Sequence, residues 1–382
     1  MAKILILSCK GGGGHMSAAA AIQSCLEEHE VEVVDFLGDT LAPVDFFRWF
    51  SFGKIAAQDF YNFLLRINAK RLTNLLYHGG WFLFWLQRKF IKKALKNLFE
   101  EKTPDLVISV IPMINGPIAG EAQKKNVPFL LIPTDLDLRS FTAGLNKSNN
   151  MMTWLGLGFM DNRITSFVSY EVISPSKLQW IGFPIRAPFT AVHDKNKLLS
   201  LFQIPPGKSV ILLIMGATGS TSLISYMKAL SLVRNLKLHI LVCLGRSSAI
   251  ASRIKAISMP PGISYTLLDS SANISQAMAV SDLCISKPGS VTFCETIYSS
   301  LPVFLDATGP ILIWEAFNLG FVRRNGNGRV ITAYEQVPRL VAKFFTDGQW
   351  RSKLEENVRT LEKKVFSHHL PPLINKIVGQ QK

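Results

Sequence analysis

Short apolar runs alternate with longer amphipathic stretches along most of this 382-residue chain. Apolar runs bounded by Gly, Pro or Asp are typical of buried parallel strands, and amphipathic stretches are typical of the helices that cover them. The runs form two series, each about the size of one doubly wound domain. The series are Lys3–Leu7, Val31–Phe36, Leu106–Ile111, Pro128–Ile132 and Phe167–Ile173, then Val210–Met215, Leu238–Leu244, Ile263–Leu268, Leu283–Ile285 and Pro302–Leu305. The pattern predicts an α/β chain with two Rossmann-like sheets.

A proline-rich crossing separates the two series. Gly182–Phe189 contains two prolines that stiffen the chain, and a polar stretch follows it. We therefore expect a first domain of residues 1–189 and a second of residues 190–350.

The last part of the chain, residues 351–382, is expected to form a helix and a tail. One amphipathic helix is predicted over Trp350–Phe366, followed by a break at Pro371-Pro372 and a short basic tail. His368 and His369 are expected to lie in solvent.

One segment supplies more than half of the net charge of +15. The stretch from Arg48 to Lys96 carries ten basic residues against one acid, Asp59, with aromatic residues throughout. This is typical of an anchor on an anionic membrane surface, where each Lys or Arg contributes about 1 kcal/mol. The main alternative is a helical insertion whose aromatics pack in the first domain's core. The other is nucleic-acid binding, which we do not expect.

The sequence favours a cytoplasmic protein that binds the inner face of a membrane without crossing it. The apolar run Trp81–Leu86 has six residues, whereas a membrane-spanning helix needs about twenty. The apolar start, Met1–Leu7, passes into glycines after seven residues, which is too short for a signal peptide. Five cysteines without a CxxC pair fit reduced thiols.

A glycine turn follows the first predicted strand. Gly11–Gly14 and His15 open a predicted helix that begins near Met16. Met16 occupies the third glycine position of a dinucleotide fingerprint, which argues against NAD even though Asp35 ends the second strand. His15 is a candidate general base, kept neutral by the positive end of the helix dipole, or a structural histidine.

Two further turns follow strands of the second series. Gly216–Ser220 follows the first of them, and Ser286–Glu295 carries Gly289 into a predicted helix. Helix N-termini bind phosphate groups, and Glu295 is placed to accept the hydroxyls of a ribose. The alternative is that Thr292 and Glu295 only form a capping box. The glycine turns of the two domains are expected to face each other across a cleft.

The segment Thr134-Asp135-Leu136-Asp137 contains a D-x-D motif, which some glycosyltransferases use to hold a divalent metal. No other cluster of ligands accompanies it, so we expect no metal. The sequence contains no HExxH, G-x-S-x-G or P-loop motif.

Taken together, these motifs resemble one family. The chain is similar to processive diacylglycerol glycosyltransferases and plant-type monogalactosyldiacylglycerol synthases, relatives of the MurG-type enzyme in glycosyltransferase family 28. The resemblance rests on Gly12–His15, Thr134-Asp135, Gly182–Phe189 and Ser286–Gly289 through Thr292 and Glu295. It implies a GT-B fold, in which two Rossmann-like doubly wound domains face each other across a cleft. It also implies inverting, metal-independent transfer without a cofactor.

The resemblance assigns roles to individual residues. His15 becomes the catalytic base, and the acceptor loop is Gly12, Gly13 and Gly14. Asp135 is the second candidate for the base, because its carboxylate ends a strand of the same domain. The implied donor-binding residues are Gly216, Gly219, Ser220, Lys287, Gly289, Ser290, Thr292, Glu295, Glu315 and Asn318. The family has a Gln where this chain has Trp314, and the glycine run of the second domain is reduced here, so glucose, galactose and N-acetylglucosamine all stay open.

We therefore expect a peripheral enzyme on the inner face of the membrane. It would move a hexose from a UDP-sugar to a diacylglycerol-type lipid. Two alternatives stay open: a MurG-like transferase onto a polyprenyl-linked acceptor, and a catalytically inactive lipid-binding homologue.

Overall fold

The chain folds into two compact units. The computed structural model describes residues 1–11, 13–45, 47–48, 51–67, 69–148, 150–169, 172–216, 219–245, 249–269 and 273–380. The first unit comprises Met1–Asn62, Leu72–Ala187 and Glu362–Lys382, and the second comprises Phe63–Arg71 and Pro188–Leu361.

Each unit contains a six-stranded sheet in which all strands are parallel. The first sheet has the order β2-β1-β3-β4-β5-β6 and the second β12-β11-β10-β7-β8-β9. The strands are β1 (Lys3–Ser8), β2 (Glu30–Asp35), β3 (Leu106–Ser109), β4 (Phe129–Leu131), β5 (Thr153–Leu157), β6 (Leu178–Trp180), β7 (Ser209–Ile214), β8 (Leu238–Cys243), β9 (Ile263–Leu268), β10 (Leu283–Ser286), β11 (Val303–Asp306) and β12 (Gly328–Ile331). The strand order reverses beside β1 and beside β7. In open parallel sheets ligands bind outside the carboxyl ends of the strands at such a reversal.

Helices connect the strands. Those that the structure describes are α1 (Gly14–Gln23), α2 (Ala57–Arg66), α3 (Lys70–Leu86), α4 (Arg88–Lys102), α5 (Asn115–Lys124), α6 (Arg139–Thr142), α7 (Asn162–Thr165), α8 (Lys195–Leu201), α9 (Ser222–Leu230), α10 (Ala249–Lys255), α11 (Ile274–Val280), α12 (Ser290–Tyr298), α13 (Ala316–Asn325), α14 (Gln336–Thr346), α15 (Gly348–Thr360) and α16 (Phe366–Gly379). Single turns of π- or 3₁₀-helix occupy Phe36–Thr40, Ala42–Val44, Pro175–Lys177 and Ala187–Phe189.

Among the described residues, nine of the ten predicted strands are present, one is absent, and three strands, β5, β6 and β12, were not predicted. The described residues of Phe167–Ile173 form no strand, and β5 and β6 lie on either side of that stretch. Residues 170 and 171 lie outside the described residues. The sequence also missed β12, because a four-residue strand with Arg329 at its centre lacks the apolar run on which the prediction depended.

The prediction for the C-terminus was wrong. Helix α15 ends at Thr360, and the tail forms a second helix, α16, through Pro371 and Pro372. Five apolar side chains of α16 pack into the core of the first unit: Phe366, Leu370, Leu373, Ile374 and Ile377. Burial of such a side chain is worth about 1.5–3 kcal/mol, so together they outweigh the roughly 3 kcal/mol cost of an interior proline. His368 and His369 are exposed, as expected, but they lie on this helix.

Candidate functional site

The first cluster of predicted site residues lies at the carboxyl edge of the first sheet. The chain leaves β1 at Ser8, and Gly13 caps helix α1 with a φ of 86°. This is the left-handed region, which glycine adopts without the cost that other residues incur. The cap starts the helix at Gly14, two residues before the predicted start, so His15 lies in its first turn. Gly12 lies outside the described residues.

The imidazole of His15 has a defined tautomer. Its Nδ1 lies 2.8 Å from the carbonyl oxygen of Val110, just beyond β3, and 2.9 Å from Thr134 Oγ1, beyond β4. A carbonyl only accepts hydrogen bonds, so Nδ1 carries the hydrogen and Nε2 keeps its lone pair. Because the reversal of the strand order places β1 and β3 side by side, the sheet itself orients Nε2 as a proton acceptor.

The surroundings of His15 also favour its neutral form. Burial lowers the pKa of His15, while the nearby charge of Asp135 and the bond to Val110 oppose this shift. The structure therefore brings the two candidate catalytic residues together. Burial is the main cause of the lowered pKa of His15, in place of the helix dipole expected from the sequence.

The D-x-D motif is partly used in a local ion pair. Asp137 is buried and accepts a hydrogen bond of 2.9 Å from Arg139 Nε. Within the described part of the chain, no group of three or more His, Cys, Asp or Glu side chains is arranged to hold a metal ion. Metal independence itself stays a prediction.

The second cluster lies at the reversal of the second sheet, where β7 pairs with β10. Gly216 and Gly219 follow β7 with φ of 89° and 75°, and the amide of Gly219 donates to the carbonyl of Gly216. A Cβ at Gly216 would lie 2.7 Å from Lys287 Cε, the flexible end of that side chain, so the requirement for glycine comes from the backbone conformation. Residues 217 and 218 lie outside the described residues. Ser220 is buried, and its hydroxyl is 2.8 Å from that of Ser222.

Helix α12 starts immediately after the turn that follows β10. Gly289 is its N-cap residue and provides no side-chain cap. Thr292 is the third residue of the helix, so the capping-box interpretation of Thr292 and Glu295 is wrong. The backbone N–H groups of the first turn have no carbonyl partner within the helix, which makes this end suitable for an anion. Glu295 is buried near β10, and its predicted contact with a ribose is untested.

Two buried oxygen atoms lie beside this helix end. Lys287 Nζ is 3.6 Å from Glu315 Oε1, and Asn318 Nδ2 donates to the carbonyl of Pro288 at 2.7 Å and to Ser290 Oγ at 3.0 Å. Glu315 Oε2 and Asn318 Oδ1 are buried and accept no hydrogen bond from the described residues. A buried polar group left unsatisfied costs about 1–3 kcal/mol, so the pair indicates a site that receives hydroxyl or amide donors from a ligand.

Some site features had no readable signal in the sequence. The Val110 contact is made by a backbone carbonyl, and only the strand order brings it to His15. Asp306, at the end of β11, accepts hydrogen bonds from Tyr226 and from both the amide and the hydroxyl of Thr308. In the sequence, Asp306 is marked only by its position at the end of a short buried strand.

The basic segment between Arg48 and Lys96 exposes much of its apolar surface. Its described aromatic side chains are exposed (Phe52, Phe63, Phe82, Trp85 and Phe90) or half-buried (Phe60, Tyr61, Tyr77 and Phe84). The alternative in which they pack in the core is therefore wrong for the exposed side chains. Most of the described basic side chains are exposed as well, although Lys70 is buried and Arg48 donates to the carbonyl of Gly38. Among the described helices, none is long and apolar enough to cross a membrane.

Known proteins resemble the chain over nearly its whole length. It is 24% identical to a processive diacylglycerol beta-glucosyltransferase of Bacillus licheniformis, over 94% of this chain and 90% of that protein. It is also 24% identical to the chloroplastic monogalactosyldiacylglycerol synthase of Spinacia oleracea, over 98% of this chain and 71% of that protein. No protein family model matches. The chain is a homologue of diacylglycerol glycosyltransferases.

The fold of this glycosyltransferase homologue agrees with solved structures. Acinetobacter baumannii MurG superimposes with a TM-score of 0.63 at 14% identity, covering 98% of this chain and 99% of that one. A co-structure of S. aureus MnaA with UDP superimposes with a TM-score of 0.62 at 12% identity, covering 99% of this chain and 97% of that one. The fold is GT-B, which confirms the predicted fold class, and the sequence relatives confirm the predicted resemblance.

Proposed function

We propose that this protein transfers a hexose from a UDP-sugar to a diacylglycerol-type lipid at an anionic membrane surface, with inversion at the anomeric carbon. The observation that carries the proposal is the pair of unsatisfied oxygens, Glu315 Oε2 and Asn318 Oδ1, beside Lys287 and the N-terminus of α12. A cation and a helix N-terminus suit a diphosphate, while two neighbouring acceptors suit sugar hydroxyls. A sugar nucleotide carries both groups. The diacylglycerol glycosyltransferases among its homologues support the lipid acceptor.

The acceptor half of the reaction is assigned to the first unit. The hydroxyl of the lipid would donate its proton to His15 Nε2 while its oxygen attacks the anomeric carbon. Val110 and Thr134 hold the imidazole from the opposite nitrogen, so the base needs no reorientation during the step. The nearby charge of Asp135 would stabilise the imidazolium that forms.

The donor half is assigned to the second unit. As the new carbon–oxygen bond forms, the bond from the anomeric carbon to the diphosphate oxygen breaks, and UDP leaves with the electron pair. The Lys287 ammonium and the first-turn amides of α12 would stabilise this developing charge. Glu295 would hold the ribose, and Glu315 and Asn318 the transferred sugar.

The membrane assignment follows from exposure and charge. Trp85 is 57% exposed and stacks on Phe82, and the Arg88 guanidinium lies 4.6 Å from the centre of its ring. Lys89, Lys92 and Lys93 follow on α4 and are exposed. Aromatic side chains beside lysines suit the boundary between anionic headgroups and acyl chains.

Calorimetry of UDP binding tests the donor site. Lys287→Met should weaken UDP binding about 10- to 100-fold, because a charged hydrogen bond contributes roughly 1.5–3 kcal/mol. Lys228→Met, on the exposed face of α9 in the same unit, is the matched control and should bind UDP like the wild type. Equal UDP affinity in the Lys287 variant, or no UDP binding by the wild type, would contradict the assignment.

A further inference from the structure

Three side chains of helix α2 hold the glycine turn that precedes His15. Gln58 Oε1 accepts a hydrogen bond of 2.7 Å from the backbone amide of Lys10, and Asn62 Nδ2 donates to the carbonyl of Lys10 at 3.4 Å. A Cβ at Gly11 would lie 3.7 Å from the ring of Tyr61. Residues 58, 61 and 62 lie three and four positions apart, so they share one face of the helix.

Gln58 also connects the turn to the neighbouring strand. Its Nε2 lies 3.2 and 3.3 Å from the two carboxylate oxygens of Asp35, at the end of β2. Asp35 is buried, accepts from the amide of Gly38 at 2.9 Å, and lies 3.4 Å from Lys10 Nζ. Asp35 therefore helps to fix the glycine turn through Gln58 and Lys10, although in a dinucleotide-binding domain an acid at the end of the second strand would bind a ribose.

Helix α2 begins where an exposed tip ends. The tip, Ser51–Ile55, presents Phe52 at 94% exposure and in a left-handed conformation with φ 51°, next to Lys54. Asp45 closes the base of the tip, because its carboxylate accepts from the amide of Phe47 at 2.9 Å and from the amide of Ala57 at 2.8 Å. Asp45 thus links the base of the tip to Ala57, the first residue of α2, and Gln58 is the second residue of that helix.

We propose that Gln58 is a positioning residue that couples the exposed tip to the glycine turn beside His15, so that docking of Phe52 and Ile55 on an anionic lipid surface orders that turn. A turn built of glycines has no side chains with which to fix itself, so it depends on supports from outside. The tip combines exposed apolar side chains with a lysine, and this chemistry matches a lipid surface. The inference rests on the proposed membrane association.

Hydrogen exchange tests the coupling without any need for turnover. Backbone amides of residues 9–16 are followed with and without vesicles that contain phosphatidylglycerol. In the wild type, vesicles should slow this exchange at least threefold. In Gln58→Ala the slowing should disappear although the protein still sediments with the vesicles, and Gln380→Ala, on the exposed end of the chain, should behave like the wild type.

Two outcomes separate this inference from the proposed function. A wild type that does not bind vesicles would overturn the membrane association itself. Vesicle binding with unchanged exchange in the wild type, or slowing that persists in Gln58→Ala, would overturn the coupling alone.

A charge exchange gives an independent test in the transfer assay. Gln58→Glu sets a second carboxylate against Asp35 and should lower kcat about tenfold or more by displacing the turn, with unchanged UDP affinity. Adding Asp35→Asn should restore kcat to within about threefold of the wild type, because the amide then donates in the opposite direction. If the double variant loses as much activity as Gln58→Glu, the positioning role of the Gln58–Asp35 contact is refuted. Full activity in Gln58→Glu would refute it as well.

Discussion

The replacement His15→Ala removes the proposed general base and should separate catalysis from donor binding. Loss of a general base typically lowers the rate by about 10²–10⁴-fold. This corresponds to roughly 2.7–5.4 kcal/mol of transition-state stabilisation, at about 1.36 kcal/mol for each factor of ten. UDP affinity should change little, because the residues assigned to the donor belong to the other unit.

The same replacement also costs stability, and the structure shows how much to expect. It leaves the carbonyl of Val110 without the hydrogen bond from Nδ1, a loss of about 1–3 kcal/mol for a buried acceptor. A domain has about 5–15 kcal/mol of net stability, so the variant should remain folded. Its lost turnover would then report on chemistry rather than on unfolding.

Steady-state kinetics, UDP calorimetry and a thermal melt on one preparation measure the three quantities. His29→Ala is the control, since His29 belongs to the same unit and, among the described residues, its ring accepts a long hydrogen bond of 3.4 Å from the amide of Ala2. It should keep wild-type kcat. A His15→Ala variant that retains more than about a third of wild-type turnover would refute the assignment of the base. Asp135 would then become the residue to replace.

Four further predictions follow from the site. Burial lowers the pKa of His15, so folding favours its neutral form. We therefore expect kcat/KM to stay level as pH falls through 6.5 and to decline only below the lowered pKa. A pH–rate profile whose decline is centred at or above 6.5 would contradict this expectation. Glu295→Ala should weaken UDP binding by roughly 1–3 kcal/mol in calorimetry, and unchanged affinity would remove Glu295 from the donor site. Turnover should be unaffected by EDTA, and a loss that manganese or magnesium restores would return Asp135 and Asp137 to the mechanism. Replacement of Lys89, Lys92, Lys93 and Lys96 by Gln should lower cosedimentation with anionic vesicles, and equal sedimentation of the wild type with neutral vesicles would show that charge does not govern binding.

The sequence predicted those parts of the fold that depend on local pattern. Continuous apolar runs such as Val210–Met215 became central strands because a parallel sheet buries both faces. Helix α16 was missed because its two prolines are unfavourable locally, and only the packing of its apolar face against the first sheet compensates for them. The short strand β12 had too few apolar residues to be recognised.

The site shows the same division between local and distant information. The glycine turns that contain Gly13 and Gly216 were predicted from the sequence because runs of glycine are a local signal, and in the structure both residues have positive φ. The partner of His15 was not predicted, because a backbone carbonyl 95 residues away is found only through the order of the strands. Gln58 gave no signal either, since its contacts with Lys10 and Asp35 are set by tertiary packing.

The central claim is transfer of a hexose from a UDP-sugar to a diacylglycerol-type lipid. The most direct test incubates the purified protein with anionic vesicles that contain diacylglycerol and with UDP-glucose, UDP-galactose or UDP-N-acetylglucosamine in turn. Released UDP and lipid products are then quantified by mass spectrometry, and the anomeric configuration of the product is read by NMR, with His15→Ala as the blank. We expect UDP release matched by a hexosyl-diacylglycerol whose anomeric configuration is inverted relative to the donor. UDP release and lipid products no greater than those of His15→Ala with all three donors would contradict it.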